Sequence, residues 1–351
     1  MKITLCIVNH DGAVHLRDSL PCVIGLGSAV DEVLLLDNAS TDGGQEVFLK
    51  SVPAGRVIQL MENRSPGAAR SAGFKAARND FILFADNDIR LSAAAVRTLA
   101  SALERRSNAA IAMPRVVLAA RPDRIQYEGA YCHWLGHMIL RNEDSPLQPP
   151  ESAPVLVDSM VSACFMVVRS RWPEGVFFDP GYRFYYEDHD VGVRARLAGR
   201  EILALSDAVV MHGAGTPNLS LRPGGAYAPR RVLTLIEGRW RHLLKNVSTR
   251  SLVVLAPALL AYELAQLAGA AAKGWVPHWW RALRNTTQGF KEICAARSII
   301  QGARRTTDRD LLRGGPIPFK PELAGGRGAK LALAMLNAFC SAYWRIAQRL
   351  L

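Results

Sequence analysis

The first 120 residues alternate between two spacings of apolar positions. Short aliphatic runs stand at Ile3–Val8, Glu32–Leu36, Val57–Leu60, Phe81–Ala85 and Ile111–Leu118. Between them, Val14–Val23, Gly44–Ser51, Gly67–Ala77 and Ala93–Arg105 carry a helical period, with Asp42 and Ser92 placed as N-caps. Strands alternating with helices predict an α/β fold: a doubly wound, mainly parallel sheet with helices on both faces. Strands this apolar are covered on both sides.

Each run then breaks into polar residues. The first ends at Asn9-His10-Asp11, the second in "DNASTDGG" from Asp37 to Gly44, the third at Glu62-Asn63-Arg64 and the fourth at Asp86-Asn87-Asp88. Any one of these is also an ordinary turn. Four delivered to one edge predict a shared site, because ligands of such sheets lie beyond the carboxyl ends of the strands. Residues 121–155 read as a loop. Structure resumes at Val155–Arg169, and "FFDPGYRFYYEDHDVGVRARLAGREI" follows with its helix ending at Gly199. A last strand, Ile202–Met211, runs into His212-Gly213.

Several of these residues can do chemistry. In an extended chain Asp86 and Asp88 point to the same side. Two carboxylates there either flank a solvated turn or hold a hard divalent cation, Mg²⁺ or Mn²⁺, against a phosphate. Asp37 could accept from a nucleobase imide or a ribose hydroxyl, or close an Asx-turn. Glu187, Asp188 and Asp190 open a helix, where acidic residues favour the macrodipole. The aromatic surround of Phe184, Tyr185 and Tyr186 also suits a carboxylate of raised pKa acting as a general base. His212 is either a structural histidine or a third metal ligand.

From about Tyr227 the chain changes character. Residues 1–227 carry 23 Lys and Arg against 25 Asp and Glu, whereas 228–351 carry 20 against 6, so the whole net charge of +12 comes from the last third. "SLVVLAPALLAYELAQLAGAAA", residues 251–272, is apolar over roughly a membrane thickness. Arg239, Arg241, Lys245 and Arg250 precede it, and Lys273, Trp275, Trp279 and Trp280 follow it. A buried helix, a helix lying in a membrane interface and a true span are the three readings. An unpaired Glu263 in mid-run argues against the span. Residues 297–330, basic and rich in Gly and Pro, read as a loose surface segment, and Ala329–Leu351 as a final amphipathic helix. The six cysteines form no C-x-x-C pair, which argues for a reducing compartment. The N-terminal apolar run is too short for a signal peptide. A basic tail implies a polyanionic surface, and its Trp-flanked apolar helices favour an anionic membrane over nucleic acid.

The motifs "EVLLLDNASTDGG", "ENRSPGAARSAGFKAA", "FILFADNDIRL", "FFDPGYRFYYEDHDVGVRARLAG" and "VVMHGAG", in this order and spacing, resemble the family 2 glycosyltransferases of GT-A fold. The likeness spans residues 1 to about 215. The tail looks like that of bacterial, rhamnosyltransferase-like members that build cell-surface glycans. The resemblance implies a catalytic domain over 1–226, with a nucleotide-sugar-binding half (1–120) and an acceptor half (121–226). A basic, mainly helical, membrane-associating region would cover 227–351.

It also implies roles. Asn9, Asp11, Asp37, Asn38, Ser40, Asn63, Gly67, Arg70, Asp86 and Asn87 would line the donor site, Asp37 at the base. Asp86, Asp88 and His212 would hold Mg²⁺ or Mn²⁺, with Asp88 the more direct ligand. Asp188 would be the catalytic base, and Glu187, Tyr186 and Ser162 would face the acceptor. Ser65-Pro66-Gly67 and Arg70-Ser71-Ala72-Gly73 depart from the family's Asn-x-Gly and Arg-Asn-x-Gly.

The expected activity is inverting transfer from a nucleotide diphospho-sugar, dTDP-rhamnose or a UDP-sugar, to a glycan or lipid-linked hydroxyl at the cytoplasmic membrane face. Two rivals are weaker. A non-catalytic nucleotide-sugar scaffold predicts loss of the base or the acidic pair. A sugar nucleotidyltransferase predicts a Gly-rich basic loop after the first strand, where "NHDGAVHLRD" has none.

Overall fold

The computed structural model describes residues 1–173, 175–213, 229–318 and 326–351. The chain begins with β1 (Ile3–Asn9), α1 (Ala13–Ile24), β2 (Glu32–Asp37), α2 (Gly44–Ser51), β3 (Arg56–Gln59), α3 (Pro66–Ala76), β4 (Phe81–Asp86), β5 (Ile89–Arg90), α4 (Ala93–Arg105) and β6 (Ala109–Leu118). Next come β7 (Arg121–Tyr127), β8 (Ala130–His133), β9 (Met138–Leu140), β10 (Val155–Val157), β11 (Cys164–Val168), α5 (Glu187–Leu197) and β12 (Glu201–His212). The tail holds α6 (Pro229–Asn246), α7 (Thr249–Ala272), α8 (Val276–Gln288), α9 (Phe290–Gly302), α10 (Asp308–Leu311), β13 (Leu312–Arg313) and α11 (Gly326–Ala347).

The chain forms two compact units. The first comprises Met1–Ala130, Leu140–Arg196 and Arg200–Gly225, and the second Tyr131–Ile139, Leu197–Gly199 and Ala226–Leu351. The boundary expected at residue 226 lies outside the described residues.

The first unit is built on a mixed sheet in the order β10-β12-β6-β11-β4-β1-β2-β3, with β5 added to β12 and β7 to β6. β3, β2, β1 and β4 are parallel, and β11 runs antiparallel between β4 and β6. Alternation along the strands separates two faces. Leu5, Leu35 and Leu83 share a core with Leu16 and Leu20 of α1 and with Val96, Leu99 and Leu103 of α4. Leu36 faces the other way, onto α3, where a Cβ on Gly73 would lie 2.5 Å from it; only glycine lets that helix approach so closely. Ser92 caps α4 through its Oγ, as its position predicts. For α2 the cap residue is Gly43, with φ +79°. Asp42 instead bridges two helix starts, accepting from the amides of Ala13 and Gly44.

The stretch 121–155 is not the loop expected. Arg121–Tyr127 pairs antiparallel with β6 across two irregularities in register. Beside it the buried Glu128 accepts from Arg115, Arg141 and Asn142, so the polar residues there are satisfied inside the fold.

In the second unit α6 packs on α8 and α9, and α7 on α8 and α11. α7 buries Ser251, Leu255, Ala258, Leu259, Tyr262 and Glu263, a stripe at helical period. Glu263 is therefore not the unpaired carboxylate of the sequence reading. Its Oε2 accepts from Arg239 Nη1 at 2.8 Å and its Oε1 from Trp279 Nε1 at 3.2 Å. The segment after 296 is also more ordered than its composition suggests. Arg297 Nη1 donates to the carbonyls of Leu244 and Val247, Gln301 Nε2 to those of Lys245 and Asn246, and Arg304 to that of Asn246. These are the carbonyls that the end of α6 leaves without intrahelical partners, at the negative pole of its dipole. Residues 319–325 of that segment lie outside the described part. Among the described residues one helix, α7, is long and apolar enough to cross a membrane by length and composition, with 28% of its apolar window buried.

Candidate active site

Register brings the polar strand ends together. Asn9 pairs with Asp37 across β1 and β2, Asp37 with Gln59 across β2 and β3, and Val8 with Asp86 across β1 and β4. The loop after β2 is wired to this edge. Asp37, fully buried, accepts from Asn9 Nδ2, from the amide and Oγ of Ser40, and from Gln45 Nε2. Both of its oxygens are thus engaged, by Asn9 of β1 and by Ser40 and Gln45 after β2. Asn9 also takes a bond from Asn87 Nδ2 at 2.7 Å, which turns Asn87 back toward β1. Asp11, at φ +43°, accepts from the amide of Thr41 and donates its own amide to Ser40 Oγ. Asn38 donates to Asn63 Oδ1 at 2.8 Å. These two amides form one wall of the edge.

Helix α3 opens with Ser65, whose Oγ accepts from the Ala68 amide, and with Pro66 in its first turn. The departure from Asn-x-Gly thus serves as an N-cap. Gly67 lies against Phe178, where a Cβ would come within 3.2 Å. One turn later Arg70, 2% exposed, reaches Asp86 Oδ1 at 2.5 Å and lies over the Phe178 ring.

Asp88 is buried, and His212 Nε2 stands 3.3 Å from its Oδ1. The Asp88 carbonyl accepts from the Gly213 amide at 2.8 Å. A Cβ on Gly213 would meet Asp88 at 3.0 Å, which accounts for glycine after this histidine. His212 Nδ1 lies 2.8 Å from Gln126 Oε1. An amide oxygen only accepts, so Nδ1 donates to it, and Nε2 faces the Asp88 carboxylate, as a lone pair when the ring is neutral. Two lone pairs that close require a proton or a cation between them. This donor set of imidazole nitrogen and carboxylate oxygen, oriented by a second-layer amide, fits a divalent metal. Asp86, held by Arg70, fits that role less directly.

The acidic pair comes from across the sheet. The Asp86 amide donates to the Ala163 carbonyl at 2.9 Å, and the adjacent Ser162 amide donates to Asp188 Oδ2 at 3.4 Å. The loop before β11 therefore ties the catalytic candidate on α5 to the end of β4. Asp188 Oδ1 also accepts the His189 amide at the helix start. Tyr185 and Tyr186 both sit at positive φ, +61° and +67°, immediately before the pair; two such residues in succession mark a backbone held by its surroundings.

Burial pushes Glu187 up to about 8, reinforced by the charge of Asp188. Burial also raises Asp188, opposed by the His189 amide and by Arg70, and it raises Asp86 against the pull of Arg70. Asp190 is different. It is fully buried and paired with Arg194 Nε at 2.8 Å and with the Tyr182 hydroxyl, so it anchors α5.

Asp86, Asp88, Glu187, Asp188, Arg70, His212 and Ser162 thus converge, while Asn38 and Asn63 form the wall beyond β2. Sequence reasoning missed Gln126 and Tyr127 on β7. Their only signal was the short alternation of Ile125 and Tyr127 inside a polar run.

Residues 4–165 match the Glycosyl transferase family 2. No curated protein matches the sequence. Among solved structures, the chain superposes on GalNAc-T7 in complex with UDP, GalNAc and Mn²⁺ with a TM-score of 0.56 at 15% identity, covering 74% of this chain and 51% of that one. It superposes on Staphylococcus aureus TarS with a TM-score of 0.52 at 15% identity, covering 86% and 52%. Against TarS 1–349 with UDP the TM-score is 0.51 at 15% identity, covering 98% and 91%. The chain spans about half the length of GalNAc-T7 and of the longer TarS chain. At these identities the likeness speaks for the fold, which is GT-A; residues 4–165, carrying the strand-end loops and the Asp86-x-Asp88 motif, are similar to the family 2 glycosyltransferases.

Proposed function

We propose that the chain is a metal-assisted, inverting glycosyltransferase that moves a sugar from a nucleotide diphospho-sugar to a hydroxyl of a cell-envelope glycan or lipid-linked acceptor. The observation that carries this reading is the link through Ala163 and Ser162, which sets Asp188 across from Asp86 at the strand-end edge. Bases that take a proton in a single displacement stand opposite the leaving group, and one base suffices when no covalent intermediate forms.

Each residue then has a task. Asn38, Asn63 and the loop held by Asp37 border the nucleoside. Arg70 and the start of α3 line the diphospho-sugar pocket, with a helix N-terminus turned toward the diphosphate. Asp88 and His212, with Asp86 beside them, hold Mg²⁺ or Mn²⁺, which supplies Lewis-acid neutralisation of the leaving diphosphate. Asp188, raised by burial, takes the proton from the acceptor hydroxyl. Ser162 holds Asp188 through its backbone, and Tyr186 and Glu187 border the acceptor side. The scaffold reading predicts a lost base or a lost acidic pair, and both are present.

The second unit supports the acceptor class proposed. Val253, Leu260 and Leu264 on α7, and Leu331, Met335, Phe339 and Ile346 on α11, are exposed. They accompany the excess of basic residues in the last third. Apolar surface with positive charge supports a peripheral seat on the cytoplasmic face of an anionic membrane, where lipid-linked acceptors are displayed.

A donor screen tests the enzyme reading. The protein is incubated with Mg²⁺ or Mn²⁺ and a panel of UDP-, GDP- and dTDP-sugars, and released nucleoside diphosphate is measured. Release from one donor class is expected; no release and no thermal shift from any donor overturns the reading. Sedimentation with anionic vesicles, compared with duplex DNA binding at matched salt, tests the seat: vesicle binding is expected, and preference for DNA refutes it.

A further inference from the structure

Three buried polar side chains near the acidic centre have atoms without hydrogen-bond partners among the described residues. They are Arg70 (Nε and Nη1), Glu187 (Oε2) and Tyr127 (the phenol oxygen). Their exposures are 2%, 7% and 2%. Most buried polar groups are paired, and leaving one unpaired is costly. Arg70 is paired with Asp86, Glu187 directly precedes Asp188, and the strand of Tyr127 meets His212 through the neighbouring Gln126, so all three belong to the edge that carries the acidic residues. Orphans there mark where a ligand's polar atoms go.

Tyr127 is the informative one, because the family motifs do not include it and phenylalanine would fill the same core position. Tyr127 pairs with Val116 in register across β6 and β7 and belongs to the same core cluster as Cys164. Its hydroxyl lies within the electrostatic reach of Asp86, Asp188 and Arg70, and burial holds it protonated, so it can donate. Asp86 stands on the leaving-group side and Asp188 on the acceptor side. What lies between them in a single displacement is the sugar being transferred.

We propose that Tyr127, with Arg70 and Glu187, forms the subsite that binds hydroxyl groups of the transferred sugar, and that Tyr127 is a specificity-determining residue. The chemistry of the array selects this ligand. The guanidinium offers donors, the Glu187 carboxyl an acceptor, and the phenol both. A sugar hydroxyl is itself donor and acceptor and matches all three, whereas an ionised phosphate oxygen only accepts and offers nothing to an acceptor oxygen of Glu187.

The inference rests on the nucleotide-sugar reading, and the test separates the two. Calorimetry with Mn²⁺ measures wild type and Tyr127→Phe against UDP, GDP and dTDP, and against the hexose conjugate of whichever diphosphate binds. The substitution should leave nucleoside diphosphate affinity unchanged. It should lower the affinity gained from the sugar by about tenfold, the loss of one good hydrogen bond. Removal of an orphaned hydroxyl should also leave the melting temperature the same or higher. A sugar increment that survives in Tyr127→Phe overturns the subsite while sparing the donor reading. A lowered melting temperature overturns it too, since the hydroxyl would then have a partner within the fold. No binding of any nucleoside diphosphate to wild type removes both.

Discussion

The two units bury charge in opposite ways. In the helical unit the buried ions Arg239, Glu263 and Asp308 lie in opposite-charge pairs. Arg239 lies between the Leu135 carbonyl and Glu263, over the ring of Tyr262, and Glu263 takes a second bond from Trp279. Asp308 accepts from the Ser248 amide and from Arg304. At the strand-end edge, Asp86, Asp88, Glu187 and Asp188 face one guanidinium and one imidazole. Closed networks hold a fold together. A surplus of one charge, kept in place by the sheet, is the state of a site that completes itself with a ligand.

The largest effects should come from breaking each side at its centre. Asp188→Asn keeps the shape of the edge and removes the base. Transfer should fall by about 10²–10⁴-fold, with UDP-sugar affinity retained; full transfer by this variant would sink the base assignment. Asp88→Ala should abolish the metal dependence of donor binding, read by titrating Mn²⁺ at fixed donor.

In the helical unit Glu263→Ala leaves Arg239 buried and uncompensated, which should cost about 3–5 kcal/mol in urea unfolding. The double variant Glu263→Leu with Arg239→Met should recover most of that loss, because the desolvation penalty disappears with both charges. If the double variant were as unstable as the single one, the pair would not be acting as a pair.

These differences were unevenly legible in the sequence. The catalytic edge was readable because its signals are local. An apolar run ending in Asx and Gly residues marks both a strand and its exit, and four exits of parallel strands must share an edge. β7 was hidden. Arg121 and Asp123 are exposed, Arg124 is half-buried, only Ile125 and Tyr127 turn inward, and the register irregularities against β6 break the alternation that would reveal a strand. Gln126 and Tyr127 disappeared with it. The polar core of the tail was hidden for another reason. Glu263 and Arg239 are distant in sequence and meet only through the packing of α6 against its neighbours, so Glu263 read as an unpaired charge and Arg239 as a flanking one. The end of α6 likewise recruits Arg297 and Arg304 from a segment whose composition suggested a loose coil.

The contrast also has a sign in pH. Glu187 is raised by burial from about 4.5 to about 8. Its contribution to stability is complete below the unfolded value and is lost as pH rises toward 8, with a slope on the order of 1 kcal/mol per pH unit. Asp308 runs the other way. Burial would raise it, but bonds from Ser248 and Ser251 and the charge of Arg304 prevail and hold it below 3.8. Its contribution is present above the ordinary carboxylate range and fades on acidification. Hydrogen exchange at pH 4, 6.5 and 9 should therefore show α5 loosening in alkali and the α6–α10 corner loosening in acid. Glu187→Gln should flatten the first trend alone, and a trend of the same sign in both regions would contradict the assignment.

The smallest effect on stability should come from a residue next to the largest one. On α7 Glu263 faces inward and Leu264, 59% exposed, faces out, the reverse of what hydrophobicity alone would place. Leu264→Gln removes no packed contact of the buried stripe, so unfolding should change by no more than about 0.5 kcal/mol. Leu260→Gln, one turn earlier on the same outward face, should behave alike. Together they remove apolar surface from the face proposed to meet the membrane, and partitioning onto anionic vesicles should fall several-fold while transfer to a soluble acceptor stays unchanged. Vesicle binding that survives both substitutions would move the seat off α7 and leave the outward leucines without a role, whereas a loss of stability comparable to Glu263→Ala would show that this face is covered within the fold.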